Sequence, residues 1–174
     1  DLRKFHFIGS PAVESIIFYM RADAPYKSIA DVIKAKEAPK CGSTGTASSD
    51  YILSKILEET VGAKFTSVLG YPGGSEIDLA VEKGEVVCRA QSLSAHFGRE
   101  PFDSWHKKNF DRHLVVTARK RDANVPDTPT LNELFDQYKA PANSRRVSQI
   151  LLAAGDFGRP IMVTPGTPPE RVKI

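Results

Sequence analysis

The sequence lacks most of the features that announce a functional class. None of its 174 residues falls in an apolar run near the roughly 18 needed to cross a bilayer, which removes a transmembrane helix. Lys and Arg number 24 against 21 Asp and Glu, and apart from the RKR triplet at 119–121 and Arg145-Arg146 the cations are dispersed. A phosphate-tracking surface needs them clustered, so nucleic acid is not an expected partner. No signal peptide is visible; the chain opens directly into an alternating segment at 5–9, which fits either cytoplasmic residence or a chain that starts mid-protein. Cysteine is scarce too. Cys41 and Cys88 each lie at the apolar edge of an expected strand, as free buried thiols or, if the strands are neighbours, as a disulfide pointing to an oxidising compartment. The four histidines, His6, His96, His106 and His113, have no zinc-type spacing with these cysteines, so no metal and no cofactor is expected.

What is present is an alternation of strand-like and helix-like segments in a chain 41% hydrophobic and 26% charged, enough for one globular domain or slightly more. Strands are expected at 5–8, 15–21, 40–43, 64–69, 86–90, 113–118 and 160–163, with helices at 28–36, 48–61, 75–83, 130–138 and 143–154. The rhythm predicts an α/β fold with a mostly parallel sheet flanked by helices. Ser28, Ser48, Ser75 and Thr130 are positioned to cap helix starts, and Gly62, Gly84 and Gly155 to end helices in the left-handed conformation. Ile52, Leu53, Ile56 and Leu57 make an apolar stripe that belongs to a core. The segment 97–111, with Phe97, Phe102, Trp105 and Phe110, breaks the rhythm and reads as a loop or irregular helix tucked onto the sheet edge rather than as an aromatic binding surface.

Two glycine-bearing turns carry the functional signal. In the first, CGSTGTASSDY, Gly42 and Gly45 let backbone approach a ligand, while Ser43, Thr44, Thr46, Ser48 and Ser49 add hydroxyls beside the free N–H groups of a helix start. Such a terminus favours an anion. The second turn, YPGGSEI, places Gly73 and Gly74 before Ser75, again between strand and helix. In open α/β sheets both turns would border one crevice at the strand C-terminal ends. A third strand ends in Arg89, Gln91, Ser92 and Ser94; Arg89 is either a bidentate partner for a carboxylate or a solvated surface arginine.

Nucleotide and catalytic motifs are absent. Gly45 is followed by Thr46-Ala47 rather than Lys and a hydroxyl residue, and the three-glycine dinucleotide spacing fails. Ser48 and Ser49 have no nucleophile elbow, and Cys41, at a strand end before a helix, is a further candidate nucleophile.

The stretches RADAPYKSIADVIK, GSTGTASSDY, GYPGGSEIDLAVEKGEV, PDTPTLNEL and TPGTPPERV, in this order and spacing, resemble the solute-binding receptors of tripartite tricarboxylate transporters, the Bug-type or TctC receptors. The resemblance implies a type II periplasmic-binding-protein fold, two lobes closing on a carboxylate, and a periplasmic location. It implies membrane subunits of the transporter as partners, and no catalysis. It also implies a fragment: residues 1–20 as the end of the first lobe and hinge, 21–158 as the second lobe, and 159–174 returning toward the first, with the N-terminal half-lobe and C-terminal tail missing. By the same likeness, the turns at 43–49 and 73–75 touch the ligand. Gln91 stands where relatives often carry an aspartate, and Arg89 adds a charge where an apolar residue is common, mildly favouring a dicarboxylate. Two alternatives share these residues: an effector-binding domain of a transcription regulator, and a hydrolase using Cys41 or a serine of the first turn.

Overall fold

The computed structural model describes residues 1–153, 155 and 158–172, the Leu151 side chain excepted. The ends of the segments expected at 143–154 and 159–174 therefore lie partly outside the described residues. After a short 3-10 turn the chain forms β1 (His6–Gly9), β2 (Ile16–Arg21), α1 (Ile29–Lys34), β3 (Lys40–Gly42), α2 (Ser49–Val61), β4 (Thr66–Val68) and α3 (Gly74–Lys83). There follow β5 (Cys88–Ser92), α4 (Leu93–Gly98), α5 (Phe102–Lys107), β6 (Asp111–Val116), α6 (Leu131–Gln137), α7 (Ala142–Leu152), β7 (Ile161–Val163) and α8 (Pro169–Val172).

Five strands form one sheet in the order β4-β3-β5-β2-β6. β3 runs parallel to β4 and β5, and β2 runs antiparallel to both β5 and β6, so four strands share a direction and β2 alone opposes it. β2, IIFYMR, is rich in β-branched and aromatic residues, and its four middle residues are buried. Alternation sends Phe18 and Met20 into a core with Leu53 and Leu57 of α2 and Leu134 and Phe135 of α6. Tyr19 points the other way, into a core with Ile77 and Val81 of α3 and Phe102 and Trp105 of α5. Helices thus cover both faces, as the α/β reading requires.

Among the described residues β1 and β7 pair only with each other, antiparallel, outside this sheet. The boundary expected at residue 20 therefore falls inside β2, the strand that holds β5 and β6 together; only the segment before β2 joins the two-stranded unit.

Most helix ends follow local chemistry. Ser28 and Ser48 accept from Asp31 N and Tyr51 N, and Thr130 and Glu133 form a reciprocal capping box. Gly62 and Gly84 close α2 and α3 in the left-handed conformation. Two expectations are corrected. Ser75 lies inside α3, whose N-cap is Gly73, with no side-chain cap. Gly155 does not cap α7, whose C-cap is Ala153; it sits against the incoming chain, where Glu14 N donates to Gly155 O at 2.8 Å and a Cβ on Gly155 would meet Glu14 O at 2.4 Å.

The aromatic segment is more regular than a loop. α4 and α5 lie on the sheet face shared with α3, where Trp105 meets Phe102 edge-on at 5.1 Å and donates to Glu82 at 2.8 Å. Among the described residues no helix is long and apolar enough to cross a membrane.

Candidate functional site

The C-terminal end of β5, the start of β2 and the start of α2 border a cleft of about 370 Å³. Ala47, Ser49, Ser92, Glu14 and Thr117 line it, with Ile16, Ile52 and Leu152 as its apolar wall. Of the residues expected to meet a ligand, it gathers Ser49 and Ser92. Ser49 opens α2, and its N–H and that of Asp50 precede the capped Tyr51 N–H, the part of a helix start open to an outside acceptor. A second depression, about 320 Å³, lies between α2 and α7 along Tyr51, Lys55 and Val147 and includes Thr46. It is flanked by helix sides and lacks the strand-end convergence of the first cleft.

The first turn is built to hold its shape. Ser43 and Ser48 hydroxyls lie 2.7 Å apart and within hydrogen-bond reach of Gly45 O, at 3.1 and 2.8 Å, so their two hydrogens serve each other and that carbonyl. Those hydroxyls are committed internally. Thr44 and Thr46 are exposed, and with Ser49 their hydroxyls have no intramolecular hydrogen bond among the described residues. The first turn is also tied to the second: Ser43 N donates to Val68 O at 2.9 Å and Tyr71 N donates to Ser43 O at 3.4 Å. Gly42 makes this approach feasible, since a Cβ there would lie 2.5 Å from Ile77 and 3.4 Å from Tyr71.

Arg89 is neither a surface arginine nor free for a ligand. It is buried, donates to Gly74 O at 2.7 Å, pairs closely with Asp78, and stands 3.7 Å from Asp50 through Nε. Asp78 also accepts from Tyr19 at 3.0 Å and Arg99 at 3.2 Å. This ion network lies behind the starts of α2 and α3 and fixes them relative to each other, so Arg89's charge is matched within the protein. Burial pushes the Asp50 carboxyl up to about 6 against the pull of Arg89. Gly73, Gly74 and Ser75 leave an uncapped helix start beside this network but do not line the cleft.

Gln91 is also displaced from the expected place. Strand alternation puts it, like Arg89, on the α3–α5 face, buried, with Nε2 2.8 Å from His96 Nδ1. The nucleophile reading of Cys41 is overturned: Cys41 and Cys88, paired across β3 and β5, form a disulfide, which leaves no thiol at that position. The cleft also contains Glu14 and Thr117, which spacing did not single out. Glu14 accepts from Ser94 N at 3.3 Å and Ser94 Oγ at 2.9 Å, with Arg159 at 3.8 Å. Glu14 and Thr117 lie far apart in sequence, and no local motif marks them.

The sequence model of the tripartite tricarboxylate transporter family receptors, TctC, matches residues 2–151. The chain belongs to that family. Among curated proteins no sequence match was found. Solved TctC-type structures share the fold. An R. palustris protein solved with adipate superposes with a TM-score of 0.62 at 18% identity, covering 86% of this chain and 54% of that one. A TctC solute-binding protein from Polaromonas gives 0.62 at 16%, covering 93% and 63%. MatC from Rhodopseudomonas palustris, solved with malate, gives 0.57 at 18%, covering 87% and 54%. The chain thus spans between half and two thirds of the length of these relatives.

Proposed function

We propose that this TctC-family chain carries one face of an extracytoplasmic receptor site for a small dicarboxylate, delivered to the membrane subunits of a tripartite tricarboxylate transporter. The observation that carries the reading is the cleft at the strand ends, where the open start of α2 meets Ser49 and Ser92. Backbone N–H groups and hydroxyls there suit a carboxylate without a fixed cation, and helix termini favour negative charge. Adipate and malate in two family structures support this ligand class.

The same inventory supports binding without turnover. The cysteines are bonded to each other, and the Ser43 and Ser48 hydroxyls partner each other and Gly45 O rather than a histidine base. The linked segments before β2 and after α7, including Ser10 Oγ donating to Gly158 O at 2.6 Å, form the proposed hinge. In this proposal β1 and β7 lie on the first-lobe side and periplasmic residence follows the family.

Calorimetry with mono-, di- and tricarboxylates tests the reading. Dicarboxylates are expected to bind without chemical change, and Ser49→Ala or Ser92→Ala to weaken them about tenfold, the loss of one hydrogen bond of about 1.4 kcal/mol to a charged group. Affinity unchanged from the parent protein in both variants, or conversion of the ligand, contradicts the proposal.

A further inference from the structure

Four metal-ligating side chains meet on the face covered by α4 and α5. His96 comes from α4, His106 from α5, and Asp111 and His113 from β6, where a spacing of two directs both to one face of the strand. His96 Nε2 lies 2.8 Å from His113 Nε2 and 3.0 Å from His106 Nε2. Asp111 Oδ2 lies 3.0, 3.5 and 3.3 Å from the Nε2 atoms of His96, His106 and His113. All four ligand atoms fall within 4.8 Å of one another. Tetrahedral zinc with bonds of about 2.0–2.1 Å holds its ligand atoms about 3.3–3.4 Å apart, so a small inward or outward adjustment of these side chains reaches that geometry.

Shared protons account poorly for the arrangement. His96 Nε2 faces two imidazole nitrogens and one carboxylate oxygen, yet it carries one hydrogen at most. The Asp111 side chain is 1% exposed, and neither of its oxygens has a hydrogen bond of acceptable geometry. A buried carboxylate in that condition is costly unless a cation meets it. Behind His96, Gln91 Oε1 is also buried without a partner, while its Nε2 faces His96 Nδ1. Turning the amide over exchanges the two atoms: Oε1 then accepts from Nδ1–H, and the His96 Nε2 lone pair points into the cluster. That outer contact is what a metal-binding histidine uses to fix its tautomer and orientation. Phe97 stacks on His106 at 4.8 Å and Phe102 packs on His96 at 4.6 Å, holding the rings in place.

We propose that His96, His106, Asp111 and His113 form a closed, four-coordinate zinc site that fastens α4 and α5 to β6. Three imidazoles and a carboxylate suit zinc, and four protein ligands leave no open position for catalysis, so the role is structural. α4 and α5 have six residues each, far below the length at which a helix is stable alone, and a metal cross-link adds to the anchorage that buried Phe102 and Trp105 give.

The test uses the tag-free full chain, stripped with a chelator and titrated with Zn²⁺ by calorimetry and thermal melting, and with Co²⁺ by visible absorption. Expected are one zinc per chain, a zinc-dependent rise in Tm and the intense ligand-field bands of tetrahedral cobalt. His106 and His113 are partly exposed, at 24% and 19% of their side chains, so His106→Ala and His113→Ala are suited to keep the metal-free fold, which circular dichroism checks. Each is expected to weaken zinc at least about 100-fold, Gln91→Ala by about 10–100-fold, and His6→Ala on β1 not at all. Absence of tetrahedral cobalt bands, absence of a zinc-dependent Tm rise, or undiminished binding in the folded His106→Ala/His113→Ala variant overturns the proposal.

Discussion

Replacing both Cys41 and Cys88 by alanine removes the covalent tie between β3 and β5 while leaving apolar side chains in a buried position. The two cysteines are 47 residues apart in sequence, and the loop that they close contains α2, β4 and α3. Loop-closure entropy for that length stabilises the folded state by about 4 kcal/mol at 25 °C. Alanine also loses the packing of two sulfurs, which adds to the cost rather than offsetting it. Against a typical domain stability of about 5–15 kcal/mol this is a large share, and for a chain of this size it corresponds to about 10 °C in Tm. Urea denaturation of the oxidised protein, the same protein with a phosphine reductant, and the double variant supplies the measurement. The oxidised protein is expected to exceed both others by about 3–5 kcal/mol, and thiol titration of the unreduced, denatured chain to find no free sulfhydryl. A difference under about 1 kcal/mol, or two titratable thiols, refutes the reasoning.

Three further outcomes follow from the region behind the two turns. Asp50 titrates near 6 in the fold against an ordinary value of 3.8, so between pH 4 and 6 the folded state holds a proton that the unfolded chain has released. Stability from this group is therefore lost as pH rises through that window, by about 3 kcal/mol, and Asp50→Asn should flatten that part of a urea-stability profile; parallel profiles refute it. Arg89→Met leaves Asp78 and Asp50 buried without their cation and is expected to cost about 3–5 kcal/mol in chemical denaturation, whereas a near-neutral effect contradicts the network. Gly42→Ala drives a Cβ to 2.5 Å from Ile77 and is expected to cost about 1–3 kcal/mol; a Tm equal to that of the parent protein would show that the turn relaxes freely.

Sequence patterns exposed the fold to the extent that local chemistry determined it. Serine and threonine caps at 28, 48 and 130 and left-handed glycines at 62 and 84 bracket real helices, because capping depends on residues within one turn. Ser75 misled because two glycines before it let the backbone enter the helix earlier. The side-chain directions of Arg89 and Gln91 escaped because β5 runs to Ser92 and its alternation sends both to the face covered by α3 and α5, where Asp78 and His96 receive them. The histidine cluster was invisible to spacing rules for the same reason: its members come from two short helices and a strand, and only the fold of the aromatic segment brings them together. The cleft was half legible. Ser49 lies in a turn motif and Ser92 at a strand end, whereas Glu14 and Thr117 reach it through chain crossings far apart in sequence.

Backbone amide shifts during a titration with adipate test the binding account most directly. Saturable changes are expected to concentrate at Ala47, Ser49, Asp50 and Ser92, around the open start of α2. Changes confined to the depression between α2 and α7, or no saturable change at the cleft at any ligand concentration, would contradict it.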